Sequence, residues 1–541
     1  MNANINFYGD FSIEKTEPEV REISGERVNL LLGRKQKIKN YEKIESNFET
    51  EWFNTPADSP RLTDGNYAKE LSCYDEAFFH FTSGCARSVM YDLGSVCAVD
   101  GASVGLLREK EMGVGVPPRI TVLVSDDGEN WQTVGEMNNF CTDLPKDMLR
   151  KTVDFGKKYK ARYVQFFFYV SVHIWIDQFE VFGCTDLTGA IDVKPDEIDE
   201  SEFPNKYAST EELGAKDVLL AYICHKDVKP ITKEIFLPHV AYMENDEIKD
   251  TLFDGYLFLP YVAFLYDKYT KRPLKKADWQ HYIDTQYIDG YNMDALEEAV
   301  AEVGEKLGIK DYKVSIYLSI LYPVTEVSEF GVVDGKNLNF ANLEDRQAGV
   351  KWLIDEQYRR FKEKNYKHLD LKGYYWFTEE ISYSDKQLLS LLRYTTDYVR
   401  SLGLITTWIP YYHASGYNDW RNLGFDMVCY QPNYAFNQAV PDIRLFNAAE
   451  TAKLLGMCIE LEVGGTQDWN IERIKKYYAA GAITGYMKDA AHMYYQGGVP
   501  DVYYYAYKSE DPKLHSVYTD TYRFIKGTYE PDEIEFNLEE N

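Results

Sequence analysis

Four glutamates stand where paired carboxyl groups could do chemistry. The run GYYWFTEE ends in Glu379 and Glu380, and the run GMCIELEV carries Glu460 and Glu462 two residues apart. On a β-strand that spacing puts Glu460 and Glu462 on one face, opposite Met457, Ile459 and Leu461. A glutamate inside an apolar strand is costly unless it is paired or used. Hydrolysis of a glycosidic bond needs such a set: one carboxyl protonated as general acid and another ionised as nucleophile or base. The structural alternative is pairing with a cation at the rim of the fold, as Lys488 would allow.

Further residues at the ends of apolar runs suit a sugar. Tyr261, Tyr322, Trp376, Trp408, Tyr411, Tyr412 and Tyr430 offer ring faces; His225, His413, Gln431, Asn433, Lys488 and Asp489 offer hydrogen bonds to hydroxyls. No HExxH, DxD-type cluster, GxSxG elbow or dinucleotide- or phosphate-binding glycine motif is present, so no catalytic cofactor is expected.

What must position these groups is legible in the pattern of runs. From Asp217 onward, eight apolar runs alternate with amphipathic stretches: DVLLAYICHK, DGYLFLPYVAF, YKVSIYLSILYP, KGYYWFTEE, LITTWIPYYH, FDMVCYQPNY, GMCIELEV and ITGYMKDAAH. Helical stripes fall between them at Leu296, Ala299, Val300, Val303 and Leu307, at Val350, Leu353, Ile354 and Phe361, and at Leu388, Leu391, Leu392 and Val399. This predicts an α/β (β/α)8 barrel over residues 216–531, with chemistry at the C-terminal ends of its strands. Between the fifth and sixth runs GYNDWRNLG leaves room for barely two helical turns, so the barrel is expected to be irregular there.

Before the barrel the pattern is all-β. Short alternating runs such as RITVLVS and ARYVQFFFYV are separated by turn clusters such as SDDGENW, which predicts an antiparallel β-sandwich over residues 28–187. Residues 1–27 form an N-terminal segment, the acidic 188–215 reads as a linker, and 532–541 is a tail. Across 541 residues the net charge is −28, with no Lys/Arg cluster, which argues against nucleic acid or an anionic membrane. The 45 Tyr, 28 Phe and 9 Trp fit a neutral glycan partner. The eight cysteines show no CxxC spacing, which indicates neither zinc nor a redox motif and leaves a sandwich disulfide open. The start MNANINFYGDFSIEK has neither the basic nor the apolar region of a signal peptide; the chain is expected to be cytosolic, or extracellular with its signal removed.

The N-terminal motifs VNLLLGRKQ, RLTDGNY, MYDLGS, VSDDGENWQTVGE, ARYVQF and IDQFEVFG occur in the order and spacing of discoidin-like, F5/8 type C modules, which the region Val28 to Cys184 resembles. That resemblance implies a galactose-binding-like jelly roll and a structural calcium near Asp64 and Asn66, although the position of the usual last-strand carboxylate is taken by Gln178. The region from Lys216 to Pro531, through LKGYYWFTEEI, WIPYY, CYQPNY and the E-L-E strand, resembles the bacterial domain of unknown function family 4855. The placement of glutamates on the fourth and seventh strands is similar to that of retaining TIM-barrel glycoside hydrolases. It implies Glu379 or Glu380 as acid/base and Glu462 or Glu460 as nucleophile, with Glu379 and Glu462 preferred. The expected function is therefore hydrolysis of a glycan outside the cell or at its surface. The alternatives are a non-catalytic glycan-binding surface protein and a barrel enzyme of another class, such as a carbohydrate lyase.

Overall fold

A computed structural model describes residues 13, 15–40, 55–82, 86–109, 112, 114–117, 119–138, 146–170, 173–194, 204–223, 229–260, 274–381, 385, 387–412, 414, 416–417, 420–498, 501–531 and 534–536. The N-terminal region is an antiparallel sheet of eight strands. These are β1 (Val28–Asn29), β2 (Gln36–Asn40), β3 (Phe79–Thr82), β4 (Ala86–Glu109), β5 (Arg119–Ser125), β6 (Gln132–Asn138), β7 (Lys146–Tyr169) and β8 (His173–Cys184). The order is β1-β8-β4-β7-β5-β6, with β2 also on β4 and β3 on β8.

Strands β4 and β7 are long enough to run through two layers, and their pairing slips between Asp92 and Cys97. There Arg162 on β7 donates Nε and Nη2 to the two carboxylate oxygens of Asp92, each at 2.9 Å, so a two-pronged ion pair fixes the bend. Beyond it the sheet turns over on itself. Phe166 of β7 stacks on Phe179 of β8 at 4.3 Å between centroids, although β4 separates those strands in the sheet. The core between the layers is filled by alternate residues of each strand, among them Val89, Tyr91, Val104, Leu106, Val122 and Val181.

The second region is a closed barrel of eight parallel strands, consistent with a (β/α)8 barrel: Asp217–Ile223, Gly255–Pro260, Val314–Ile320, Leu369–Trp376, Ile405–Trp408, Met427–Tyr430, Cys458–Glu462 and His492–Tyr495. The last strand pairs with the first, so no edge is left open. Helices Met293–Leu307, Leu343–Lys364 and Leu388–Ser401 carry the three predicted stripes. Each fully buried Leu or Val of those stripes contributes roughly 2 kcal/mol by leaving water. Between the fifth and sixth strands the one helix among the described residues is Trp420–Leu423, the irregularity that GYNDWRNLG implies.

Six of the eight expected runs contain their strand; the fourth strand starts three residues before KGYYWFTEE, at Leu369, and the eighth does not lie where ITGYMKDAAH suggests. Ile483 and Thr484 end the helix Asp468–Thr484, Gly485 closes it in a left-handed conformation at φ 92°, and Tyr486–Asp489 make one more helical turn. The strand itself is His492–Tyr495.

Residues 188–215, which read as a linker, are docked at both described ends. Ile191 exchanges backbone hydrogen bonds with Lys158 and Lys160 of β7. Further on, Ala208 donates its N–H to Met457 and accepts one from Ala491 at the N-terminal end of the barrel, where Leu213 and Ala215 join the apolar filling of the lumen. The described cysteines Cys73, Cys97, Cys184, Cys429 and Cys458 are unbridged. Among the described residues no helix is long and apolar enough to cross a membrane.

Candidate functional site

The seventh barrel strand alternates strictly. Cys458 joins the residues filling the lumen, while Ile459 and Leu461 pack outward against the helices, so Glu460 and Glu462 project into the lumen toward its mouth. Both are buried, at 2% and 1% exposure. The Tyr477 hydroxyl donates to Oε2 of Glu462 and itself accepts the Tyr434 N–H at 3.3 Å, and the backbone dipoles of Tyr434 and Asn433 favour the charged carboxylate. Burial raises its carboxyl to about 7 against that donor and those dipoles, and the Glu379 charge adds to the rise. Among the described residues no hydrogen bond reaches Glu460, and burial, then the charges of Glu462 and Glu379, hold its carboxyl well above the usual range.

Glu379 follows the fourth strand. It touches solvent at the mouth yet is crowded by protein on most sides; that desolvation raises its carboxyl, the Gln431 amide opposes the rise and Glu380 adds to it. Glu380 accepts a hydrogen bond from the Tyr411 hydroxyl at 2.7 Å. Glu379, Glu460 and Glu462 thus lie within one another's electrostatic reach, and the Tyr375 phenol feels both Glu379 and Glu460. A carboxyl set of this kind, with two members buried and all three raised toward the protonated form, is suited both to donate and to accept protons.

Other residues expected at the site fall into five groups. Gln431 and Asn433 lie beside the carboxylates: Gln431 donates to the Ile409 carbonyl, and Asn433 donates to Gln431 and accepts from the Tyr412 N–H. Tyr322 sits past the third strand with its hydroxyl on Asp385 and Arg346 over its ring. Trp376, Trp408 and Tyr430 are fully buried and face the helices, a correction to their expected place in the lumen. On the fourth strand the cause is a bulge at Lys372, where the register jumps from Ile316–Leu371 to Tyr317–Gly373; it sends Tyr375 and Phe377 inward and Tyr374 and Trp376 outward. On the fifth and sixth strands the inward positions are Ile405 and Ile409, and Met427 and Cys429.

Lys488 and Asp489 need the second correction. They sit on the turn before the eighth strand, at the end of the barrel remote from the mouth, where Lys216 Nζ bonds the Lys488 carbonyl. Lys488 is therefore no rim partner for the glutamates. His225, Tyr261 and His413 lie outside the described residues.

The structure adds residues that the sequence did not single out. Tyr222, Tyr375 and Tyr495 face the lumen, Tyr477 reaches Glu462 from the helix behind the seventh strand, and Phe436 stands exposed beside Tyr495. Strict alternation back from Cys458, or outward from Met493 to Tyr495, was the available signal for the inward set; nothing in the sequence marks Tyr477 or Phe436.

The loop expected to hold calcium does not fit that ion. Gln178 is fully buried, and its Nε2 donates to the Arg61 carbonyl at 2.7 Å, Asp64 Oδ1 at 2.8 Å and the Asn66 carbonyl at 3.4 Å. Its Oε1 accepts the Gly65 N–H at 3.0 Å. An amide nitrogen occupies the point on which the loop oxygens converge, where a cation would need an anionic ligand instead. Among the described residues no cluster of three His, Cys, Asp or Glu has metal-binding geometry.

Fold and site together define a parallel-barrel protein with an acidic mouth, joined to an antiparallel sheet domain. Residues 217–523 match the family described as Domain of unknown function (DUF4855), and the chain belongs to that family. No curated protein matches it. Among solved structures, chitosan-binding module 1 of a chitosanase/glucanase from Paenibacillus sp. IK-5 is 19% identical, covers 29% of this chain and 99% of its own, and has a TM-score of 0.20. The C-terminal domain of a chitobiase from Bacteroides fragilis is 17% identical over 29% of this chain and 97% of its own, with a TM-score of 0.21. A CBM32 module of a family 31 glycoside hydrolase from Clostridium perfringens is 20% identical over 28% and 96%, with a TM-score of 0.19. Scores this low say nothing about what the chain binds.

Proposed function

We propose that this protein hydrolyses a glycosidic bond in a glycan, with Glu379 as acid/base and Glu462 as nucleophile. The observation that carries the reading is the convergence of Glu379, Glu460 and Glu462 on one barrel mouth, two of them buried and all three shifted toward the protonated form. Glu379 is the solvent-touching member with a raised carboxyl, which suits a group that gives a proton to a leaving oxygen and recovers it from water. Glu462 is held at Oε2 by the Tyr477 hydroxyl, which is itself fixed by the Tyr434 N–H; this suits a carboxylate that must present its other oxygen in a fixed direction. In the retaining scheme Glu379 protonates the glycosidic oxygen as the C–O bond breaks and Glu462 bonds the anomeric carbon; water deprotonated by Glu379 then releases the sugar and restores both carboxyl groups. Glu380, tied to Tyr411, and Glu460 shape the field around that pair. The N-terminal sheet domain would hold the barrel against an extracellular glycan.

The test is a screen of aryl glycosides and soluble glycans with wild type, Glu379→Gln and Glu462→Gln. Each substitution is expected to lower kcat by about 10³-fold. Full activity in both variants would rule out the assignment, and a wild type that binds glycans without cleaving them would leave a binding protein.

A further inference from the structure

The segment that follows the sixth barrel strand is tied down on both sides of a short exposed stretch, residues 436–439. Asn433 takes a left-handed φ of 48°, and its backbone dipole and that of Tyr434 both favour the charged form of Glu462. The Tyr434 carbonyl and the Val440 carbonyl accept from the two Nη atoms of Arg473, whose guanidinium lies 3.8 Å over the Tyr434 ring. The Tyr434 hydroxyl bonds Asp442, which Lys476 holds at 2.6 Å. At Gly464, just past Glu462, a β-carbon would come within 3.0 Å of the Ala435 carbonyl oxygen and 3.4 Å of the Phe436 ring, so the glycine lets this segment close on the end of the seventh strand.

Phe436 opens that exposed stretch, two residues past the Tyr434 anchor, and is itself 48% exposed. Its one aromatic neighbour among the described residues is Tyr495, edge-on at 5.5 Å, and Tyr495 in turn meets Tyr222 edge-on at 5.9 Å across the lumen-facing residues. Single exposed apolar side chains are ordinary. Here, however, the ring stands two residues from the Tyr434 anchor and packs against Gly464, just past Glu462, so its neighbourhood is set by the same end of the seventh strand that carries the carboxylate. The faces of a pyranose that carry C–H groups are the natural complement of such a ring.

We propose that Phe436 is the stacking platform for a pyranose ring of the substrate, with Tyr495 supporting it, and that this contact sets affinity while the carboxylates do the chemistry. This rests on the glycoside hydrolase reading of the same mouth. The experiment compares full-length wild type, Phe436→Ala and Phe436→Trp on p-nitrophenyl glycosides and soluble oligosaccharides, with thermal midpoints measured in parallel. For the substrate that wild type cleaves, Phe436→Ala is expected to raise KM about tenfold with kcat within about twofold, and Phe436→Trp to restore KM, at unchanged midpoint. An unchanged KM in Phe436→Ala overturns the platform and leaves hydrolysis standing. A raised KM that comes with a lowered midpoint and is not restored by Trp marks a packing role and overturns it as well. A wild type that neither cleaves nor binds any member of the panel overturns the hydrolase reading, and the platform falls with it.

Discussion

In the N-terminal sheet, Asp177 and Glu180 are buried at 3% and 7% exposure, and each is paired. Arg150 donates to both oxygens of Asp177 at 2.7 and 2.8 Å and to Glu180 at 3.1 Å, the Tyr67 hydroxyl bonds Glu180 at 2.7 Å, and the Ala68 N–H bonds Asp177. At the barrel mouth Glu460 is buried as deeply, and no described residue bonds it. The first cluster spends its charges on one another and so fixes a loop to a strand. The second leaves a carboxyl with its hydrogen-bonding capacity unspent, an arrangement that costs stability and makes sense where a ligand completes it.

Breaking the paired cluster should be the more damaging change. Asp177→Ala strands the Arg150 guanidinium and the Ala68 N–H, and is expected to cost about 3 kcal/mol in urea denaturation. An unaffected midpoint would show that the pairing is ornamental.

At the mouth, stability should depend on pH in a direction set by protonation. The Glu460–Glu462 pair titrates higher in the folded chain, at about 7 for Glu462, than the 4.5 of an ordinary glutamate. The folded state therefore keeps a proton that the unfolded chain has released between those values. Stability is complete below about pH 4.5 and falls as pH rises through 7, by roughly 3 kcal/mol from Glu462 alone, with Glu460 adding in the same direction. Glu460→Gln should flatten that decline and leave the protein more stable than wild type at pH 8, measured as urea midpoints from pH 4 to 8. A decline of equal depth in the variant would contradict the protonation scheme.

The Gln178 loop offers a sharper contrast between scaffold and site. Gln178→Glu turns a donor amide into an anion facing three oxygens, and should lose about 2 kcal/mol in chelator and recover it in millimolar Ca²⁺. Wild type should show one thermal midpoint in both conditions. The smallest effect is reserved for Tyr67→Phe, which removes a single hydrogen bond to Glu180 and should cost about 1 kcal/mol.

The strands carrying chemistry were legible because barrel strands are short apolar runs with fixed alternation; the position of Glu462 followed directly from that of Cys458, Ile459 and Leu461. What failed was phase. Nothing in LDLKGYYW announces that Lys372 is bulged, and without the bulge Trp376 reads as lumen-facing. The eighth run was misplaced because Ile483, Tyr486 and Met487 are as apolar as a strand, while Ile483 belongs to the helix that Gly485 closes and Tyr486 and Met487 to the helical turn after it. Tyr477 and Phe436 reach the mouth from a helix and a loop, so no strand periodicity points to either. Gln178 was visible as a departure from the expected carboxylate, but only its hydrogen bonds reveal that the amide itself closes the loop.

The chain that passes beneath the barrel at Tyr207 to Ala215, bonded to Met457 on one side and Ala491 on the other, has a consequence for traffic. Backbone and aliphatic side chains cap that end of the lumen, so on the hydrolase reading a sugar would come to Glu460 from the opposite end, where Phe436 and Tyr411 stand, and would leave by the way it came.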